Sequence, residues 1–376
     1  MAPGRPATVR RRTVIAAIFA VGAAAACDGS GSGGSTGSPE VVTTSGAPST
    51  PSGVPDLGAG EEVVRGIDVP WGLAFLPGGD ALVAERNTAQ ILRVSPKGAE
   101  PRKVYEVPGV AAGGEGGLHG LALSPRYEDD RYVYAYFTGE DDNRIVRFRL
   151  DSGRPEVIFD EIAKAGFHNG GRIAFGPDGM LYVGTGDATD SDTSQDPASP
   201  NGKILRLTPE GDPAPGNPKS GSPVYSLGHR NVQGLAWDGA GRMFAAEFGQ
   251  NRLDEVNLIE PGRNYGWPGV EGKGDTRGGR YTNPLVTWST AEASPSGIAI
   301  AGDTLYMAAL RGERLWTVPL RNGSLGKPRA HFTGRYGRLR TVEVAPDGAL
   351  WLTTSNTDGR GDVSDGDDRI FRFPAR

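Results

Sequence analysis

The chain has 376 residues, a formal net charge of −5, a single cysteine, 58 glycines and 29 prolines. No basic block follows the N-terminal region, which argues against nucleic acid as a partner, and one cysteine excludes an internal disulfide framework. Abundant turn formers set against few long helical patterns indicate many short strands.

In chain order, Arg10, Arg11 and Arg12 precede an apolar run from Val14 to Ala26 that stops at Cys27. This is the pattern of an export signal, and it is too short to span a bilayer comfortably. Ala24, Ala25 and Ala26 before Cys27 resemble the lipobox of bacterial lipoproteins. Lipidation of Cys27 is therefore expected, holding the protein on the outer face of the cell membrane by the lipid alone. An ordinary signal peptide cut nearby is the alternative. Arg11 and Arg12 also loosely fit a twin-arginine signal. Residues 28–58 are mostly Gly, Ser, Thr and Pro and offer too little apolar surface to offset chain entropy, so a flexible tether is expected there. The folded domain is expected over 59–376.

That domain repeats one unit six times. The copies begin at Gly72 (GLAFLPGGDALVAE), Gly120 (GLALSPRYEDDRYVYAYF), Gly171 (GRIAFGPDGMLYVGTGD), Gly234 (GLAWDGAGRMFAAE), Gly297 (GIAIAGDTLYMAAL) and Thr341 (TVEVAPDGALWLTTS). Each is followed by a further strand such as ILRV, KILRL or RIFRF. The PDG turns at Pro177–Gly179 and Pro346–Gly348 are hairpin signals. The spacing predicts an all-β, six-bladed β-propeller of four-stranded antiparallel blades, with Glu61–Arg65 added as the outer strand of the last blade. A two-domain sandwich would need a break in the repeat, and none is visible.

Subtracting the repeat leaves HNGGR at His168–Arg172, TGD at Thr185–Asp187, GHRN at Gly228–Asn231, EFGQNRLDEVNL at Glu247–Leu258, NYGWP at Asn264–Pro268 and GRLR at Gly337–Arg340. They fall just before the first strand or just after the second strand of a blade. All should therefore face one end of the propeller. With PWGLAF at Pro70–Phe75 and GEGGL at Gly114–Leu118, these strings resemble the soluble pyrroloquinoline quinone (PQQ)-dependent glucose dehydrogenase and aldose sugar dehydrogenase family, over essentially the whole chain after the tether.

The resemblance implies oxidation of an aldose at its anomeric carbon to a lactone, with PQQ and calcium as cofactors and an unidentified electron acceptor beyond them. Such chemistry needs a base for the hydroxyl proton, and a neutral imidazole suits that task. By resemblance His168 is the base and Asp187 orients it. PQQ carries three carboxylates, for which arginine has the matching forked geometry. Arg230, Asn231, Arg338 and Arg340 match the family's PQQ-contacting positions, and Arg311 falls where lysine is common. The carbonyls of Gly249 and Gln250 map onto ligands of a calcium ion that bridges PQQ, and Glu255, the carbonyl of Tyr265 and Asp275 map onto a second, structural ion.

Other polar residues take a plainer reading. His229 and His331 are expected to be structural, His119 to pack near the site, and Arg314 and Arg335 to be solvated. Asp190, Asp192 and Asp196 lack the spacing of a calcium-binding EF-hand loop. Departures from the family concern Glu115, an acid at a glutamine position that touches the cofactor, and Phe167, where an aspartate stands in the best-known form. An acid there is unfavourable beside a tricarboxylate unless it is paired or protonated. Absent substrate loops place the chain nearer the aldose sugar dehydrogenase branch. Two alternatives remain at this level: a calcium-dependent propeller lactonase, and a non-catalytic binding propeller at the cell surface.

Overall fold

The computed structural model describes residues 53–376; Cys27, the export signal and most of the expected tether lie outside the described residues. Six antiparallel sheets follow one another along the chain. Their innermost strands are Pro70–Phe75, Leu118–Leu123, Arg172–Phe175, Val232–Trp237, Pro295–Ala301 and Leu339–Val344. Each pairs with the next strand in sequence, and the chain then steps outward. Burial follows that path: the second strand of the first blade, Ala81–Glu85, is wholly buried, whereas its outer strand Arg102–Glu106 has no buried residue. The fifth blade departs from four strands, because Ser324–Leu325 and Arg329–His331 both pair with Arg314–Arg321.

Glu61–Arg65 pairs with Arg369–Phe373, so the last blade is built from both ends of the described chain. Upstream of it, the Asp56 N–H donates to the Pro374 carbonyl at 2.7 Å. Apolar clusters lie between neighbouring blades. Leu82, Ala84 and Ile91 of the first blade pack with Val133, Ala135 and Phe137 of the second. Leu73 and Val83 pack with Trp351 and Ile370 of the sixth, closing the circle.

The glycine that opens the repeat has a steric cause. A Cβ on Gly234 would strike the Ser296 carbonyl oxygen of the next innermost strand, and Gly72 meets the His119 carbonyl in the same way. At these two positions only glycine lets the neighbouring innermost strands approach this closely.

Antiparallel pairing also fixes which loops meet. Pro70 lies opposite Glu85, Arg172 opposite Gly184, Val232 opposite Glu247 and Leu339 opposite Thr354. The start of each first strand thus lies at the same end as the close of its second strand. Residues just outside those positions converge on one mouth of the axis.

Candidate active site

The TGD and HNGGR motifs build one unit. A Cβ on Gly186 would overlap the His168 carbonyl, so the chain after the second strand of the third blade can cross only as glycine. Asp187 then lies beside His168, with Oδ1 2.7 Å from Nδ1. The Asp187 carboxylate also accepts from Thr189 N at 2.9 Å and Trp267 Nε1 at 2.9 Å. Burial alone would raise its carboxyl, but the bonds from His168, Thr189 and Trp267 outweigh burial and hold it below the usual carboxylate range. An ionised Asp187 requires the proton of a neutral His168 to sit on Nδ1, which leaves Nε2 with its lone pair.

The backbone of His168 is equally constrained. Its φ is +61°, a left-handed conformation uncommon outside glycine. Its N–H donates to Glu115 Oε2 at 3.2 Å, and its carbonyl accepts from Ala188 N at 3.1 Å. Phe167 stands edge-on to the His168 ring at 4.9 Å and is 47% exposed.

Beside His168 lies a cavity of about 500 Å³ lined by Trp71, Arg86, Arg311, Arg338 and Arg340 among others. Its volume suits a small organic ligand. An adjoining pocket shares Glu115, Phe248, Arg311 and Arg360 with it and adds His168, Arg230, Gly249 and Gln250. Asp358 Oδ2 accepts from Arg338 Nη2 at 2.8 Å and lies 3.4 Å from Arg340 Nη2. Burial pushes Arg340 down to about 9, against the pull of Asp358. Arg86, Arg230 and Arg311 have no carboxylate within ion-pair distance among the described residues. Burial lowers Arg86 and Arg230 as well. Concentrated, partly desolvated guanidinium groups make this cavity a receptor for a polyanion.

The acid at position 115 is paired. Glu115 Oε1 lies 2.7 Å from Arg360 Nη1, a residue of the sixth blade that reaches across the mouth. The repulsion expected from an unpaired Glu115 is thereby offset. Asn231 accepts from Gly170 N at 3.0 Å, while its Nδ2 and Arg230 Nε are buried without a partner. Such donors cost stability unless a ligand or water meets them.

Gly249 and Gln250 line the pocket beside His168. Glu255, Tyr265 and Asp275 are arranged differently. Glu255 is buried, accepting from Asn257 Nδ2 at 2.8 Å and Gly272 N at 3.1 Å, whereas Asp275 is exposed and accepts from Arg277 N at 2.8 Å. They share no hydrogen-bond partner. Burial, with Glu247 nearby, pushes the Glu255 carboxyl well above its usual range, and a cation would relieve that. Among the described residues no three His, Cys, Asp or Glu side chains gather as a ligand set. Oxygen ligands for a cation would thus come largely from carbonyls.

His229 is structural, held between Ser226 and Glu247 and stacked on Tyr265. His119 packs between Trp71 and Tyr136, and burial pushes it down to about 3, so it stays neutral. Arg86, Asp358 and Arg360 were not singled out in the sequence. Arg86 and Asp358 follow the second strands of their blades, the same placement that marked Asp187, and that rule applied to every blade finds both.

Fold and site together define a propeller carrying a polyanion receptor beside an oriented histidine on its axis. The chain belongs to the glucose/sorbosone dehydrogenase family, whose model matches residues 67–363. The solved PQQ-bound form of aldose sugar dehydrogenase from Streptomyces coelicolor is 54% identical, with a TM-score of 0.81 over 86% of this chain and 100% of that one. Aldose sugar dehydrogenase YliI of Escherichia coli is 27% identical over 333 residues, 78% of this chain and 89% of that protein. Quinoprotein glucose dehydrogenase B of Acinetobacter calcoaceticus is 29% identical over 280 residues; the match spans 64% of this chain and 59% of that protein.

Proposed function

We propose that this protein oxidises aldoses at the anomeric carbon to lactones, with PQQ and calcium as cofactors, and that a lipid on Cys27 holds it outside the cell. The observation that carries the reading is the placement of the His168–Asp187 pair beside a cavity whose arginines suit a tricarboxylate. The residues present fit the cofactor: among the described residues Arg86, Arg230 and Arg311 lack carboxylate partners, and Arg230 Nε and Asn231 Nδ2 are buried donors without acceptors. Arg338 and Arg340, tied together by Asp358, would hold a further carboxylate edge.

When bound, PQQ would supply a two-electron acceptor for the C1 hydrogen, and calcium held by the Gly249 and Gln250 carbonyls would make that acceptor more electrophilic. The chain's own contribution is proton handling and position. His168 Nε2 takes the anomeric hydroxyl proton, and Asp187 stabilises the imidazolium that results, as a carboxylate does for a general-base histidine. The C1 hydrogen leaves with the electron pair of its bond, so the alcohol carbon becomes the lactone carbonyl carbon. Phe167 offers an apolar surface to the C–H face of a sugar beside His168. A lactonase would instead hold its metal by side-chain carboxylates, and a binding propeller has no use for an oriented base.

Titrating PQQ into the purified protein and following its absorbance tests the cofactor assignment. Saturation at one equivalent with a micromolar or tighter Kd in calcium, weakened by a chelator added first, is the expected result. No binding at micromolar PQQ with calcium present would favour the binding propeller.

A further inference from the structure

We propose that Glu271, assisted by Asp254, is a positioning residue that turns the Gly249 and Gln250 carbonyls outward to receive a cation. The role rests on the calcium reading above. Glu271 Oε1 accepts from four consecutive backbone N–H groups: Gln250 at 2.8 Å, Asn251 at 2.9 Å, Arg252 at 2.8 Å and Leu253 at 3.2 Å. Asp254, almost wholly buried, continues the series by accepting from Gly249 N at 2.9 Å and ties the loop to the fifth blade through Ser294 N at 2.6 Å. Five successive N–H groups, from 249 to 253, are thus bound by two carboxylates.

A trans peptide is planar, with its C=O and N–H pointing in opposite directions. The carbonyl of residue 249 shares a plane with the N–H of 250, and that of 250 with the N–H of 251. With both N–H groups aimed at Glu271 Oε1, both carbonyls point away from it. The flanking carbonyls are occupied: Phe248 accepts from Arg230 Nη1 at 3.3 Å and Asn251 from Thr290 Oγ1 at 3.4 Å. Those of Gly249 and Gln250 have no partner among the described residues. Gly249 has to be glycine in this loop, because a Cβ there would overlap the Leu253 carbonyl and approach Glu271 Oε1 to 2.8 Å.

Calorimetric titration of calcium into PQQ-loaded wild type, Glu271→Ala and Glu271→Gln tests the proposal. Glu271→Ala should bind calcium about tenfold or more weakly, the size expected for loss of a residue that orients metal ligands. Glu271→Gln keeps an oxygen at the Oε1 position and should stay within about threefold of wild type. Amide hydrogen exchange at residues 250–253 should quicken in the alanine variant and not in the glutamine variant. Equal weakening in both variants would mean that Glu271 acts by its charge alone and would overturn the positioning role. Wild-type affinity in Glu271→Ala would do the same while leaving the calcium site standing. A wild type that takes up no calcium would overturn the calcium reading and this role together. Should the alanine variant fail to fold, slow exchange at 250–253 in wild type with fast exchange in Glu271→Gln would still contradict the cradle.

Discussion

Replacing His168 by Gln should lower turnover of aldoses by about 10²-fold or more, the usual effect of losing a general base, and leave the PQQ Kd within a few-fold of wild type. Glutamine keeps a polar group of similar reach but cannot take a proton at neutral pH. The defect should persist at saturating sugar and saturating PQQ. Asp187 sets the pH behaviour of the pair. Its carboxyl is held below the ordinary value, so the His168–Asp187 bond stabilises the fold above about pH 4 and loses that contribution only as pH falls through the lowered value. An acid limb of activity nearer neutrality should therefore come from a group other than Asp187. Steady-state kinetics combined with a PQQ titration reads both parts, and wild-type turnover in His168→Gln would remove the catalytic assignment.

Arg338→Ala and Arg340→Ala should fail in the opposite manner. On the proposed cofactor placement, each would remove a buried cation from a cofactor carboxylate, at a cost of about 2–5 kcal/mol, or roughly 30-fold to several-thousand-fold in affinity. The variants also leave Asp358 with one arginine instead of two, which adds a carboxylate less fully compensated beside the cofactor. Excess PQQ should restore turnover in these variants and should not restore it in His168→Gln. Arginine variants that bind PQQ normally would place the cofactor elsewhere.

Much of this architecture was legible in the sequence because the propeller repeats a local pattern. Gly72 and Gly234 recur where one innermost strand meets the next, and the close approach that demands them leaves a mark in the text. Glu61–Arg65 could be placed in the last blade because a propeller has to close. His168 and Asp187 were legible through their motifs, and the structure adds why Gly186 stands between Thr185 and Asp187.

What escaped the sequence depends on partners distant along the chain. Glu115 is unfavourable only if unpaired and ionised, and its partner Arg360 lies far along the chain, in the sixth blade. Glu271 lies in the long loop between the third and fourth strands of the fourth blade, and nothing in VEGKGD announces that its carboxylate gathers the N–H groups of residues 250–253. The extra pairing in the fifth blade was hidden because Ser324–Leu325 is only two residues long. Glu255 and Asp275, which the resemblance maps onto one structural ion, differ in burial: Glu255 is buried and accepts from Gly272 N, whereas Asp275 is exposed.

Oxidation of an aldose at its anomeric carbon by this chain can be read in a single-turnover reaction without oxygen or dye. Protein loaded with PQQ and calcium would be mixed with excess aldose, and lactone would be measured together with the absorbance of the oxidised cofactor. One equivalent of lactone should form for each equivalent of bound PQQ reduced, with a slower reaction when C1 carries deuterium and when His168 is replaced by Gln. Full occupancy by PQQ with no lactone formed from any aldose, and no change in cofactor absorbance, would contradict the proposed oxidation.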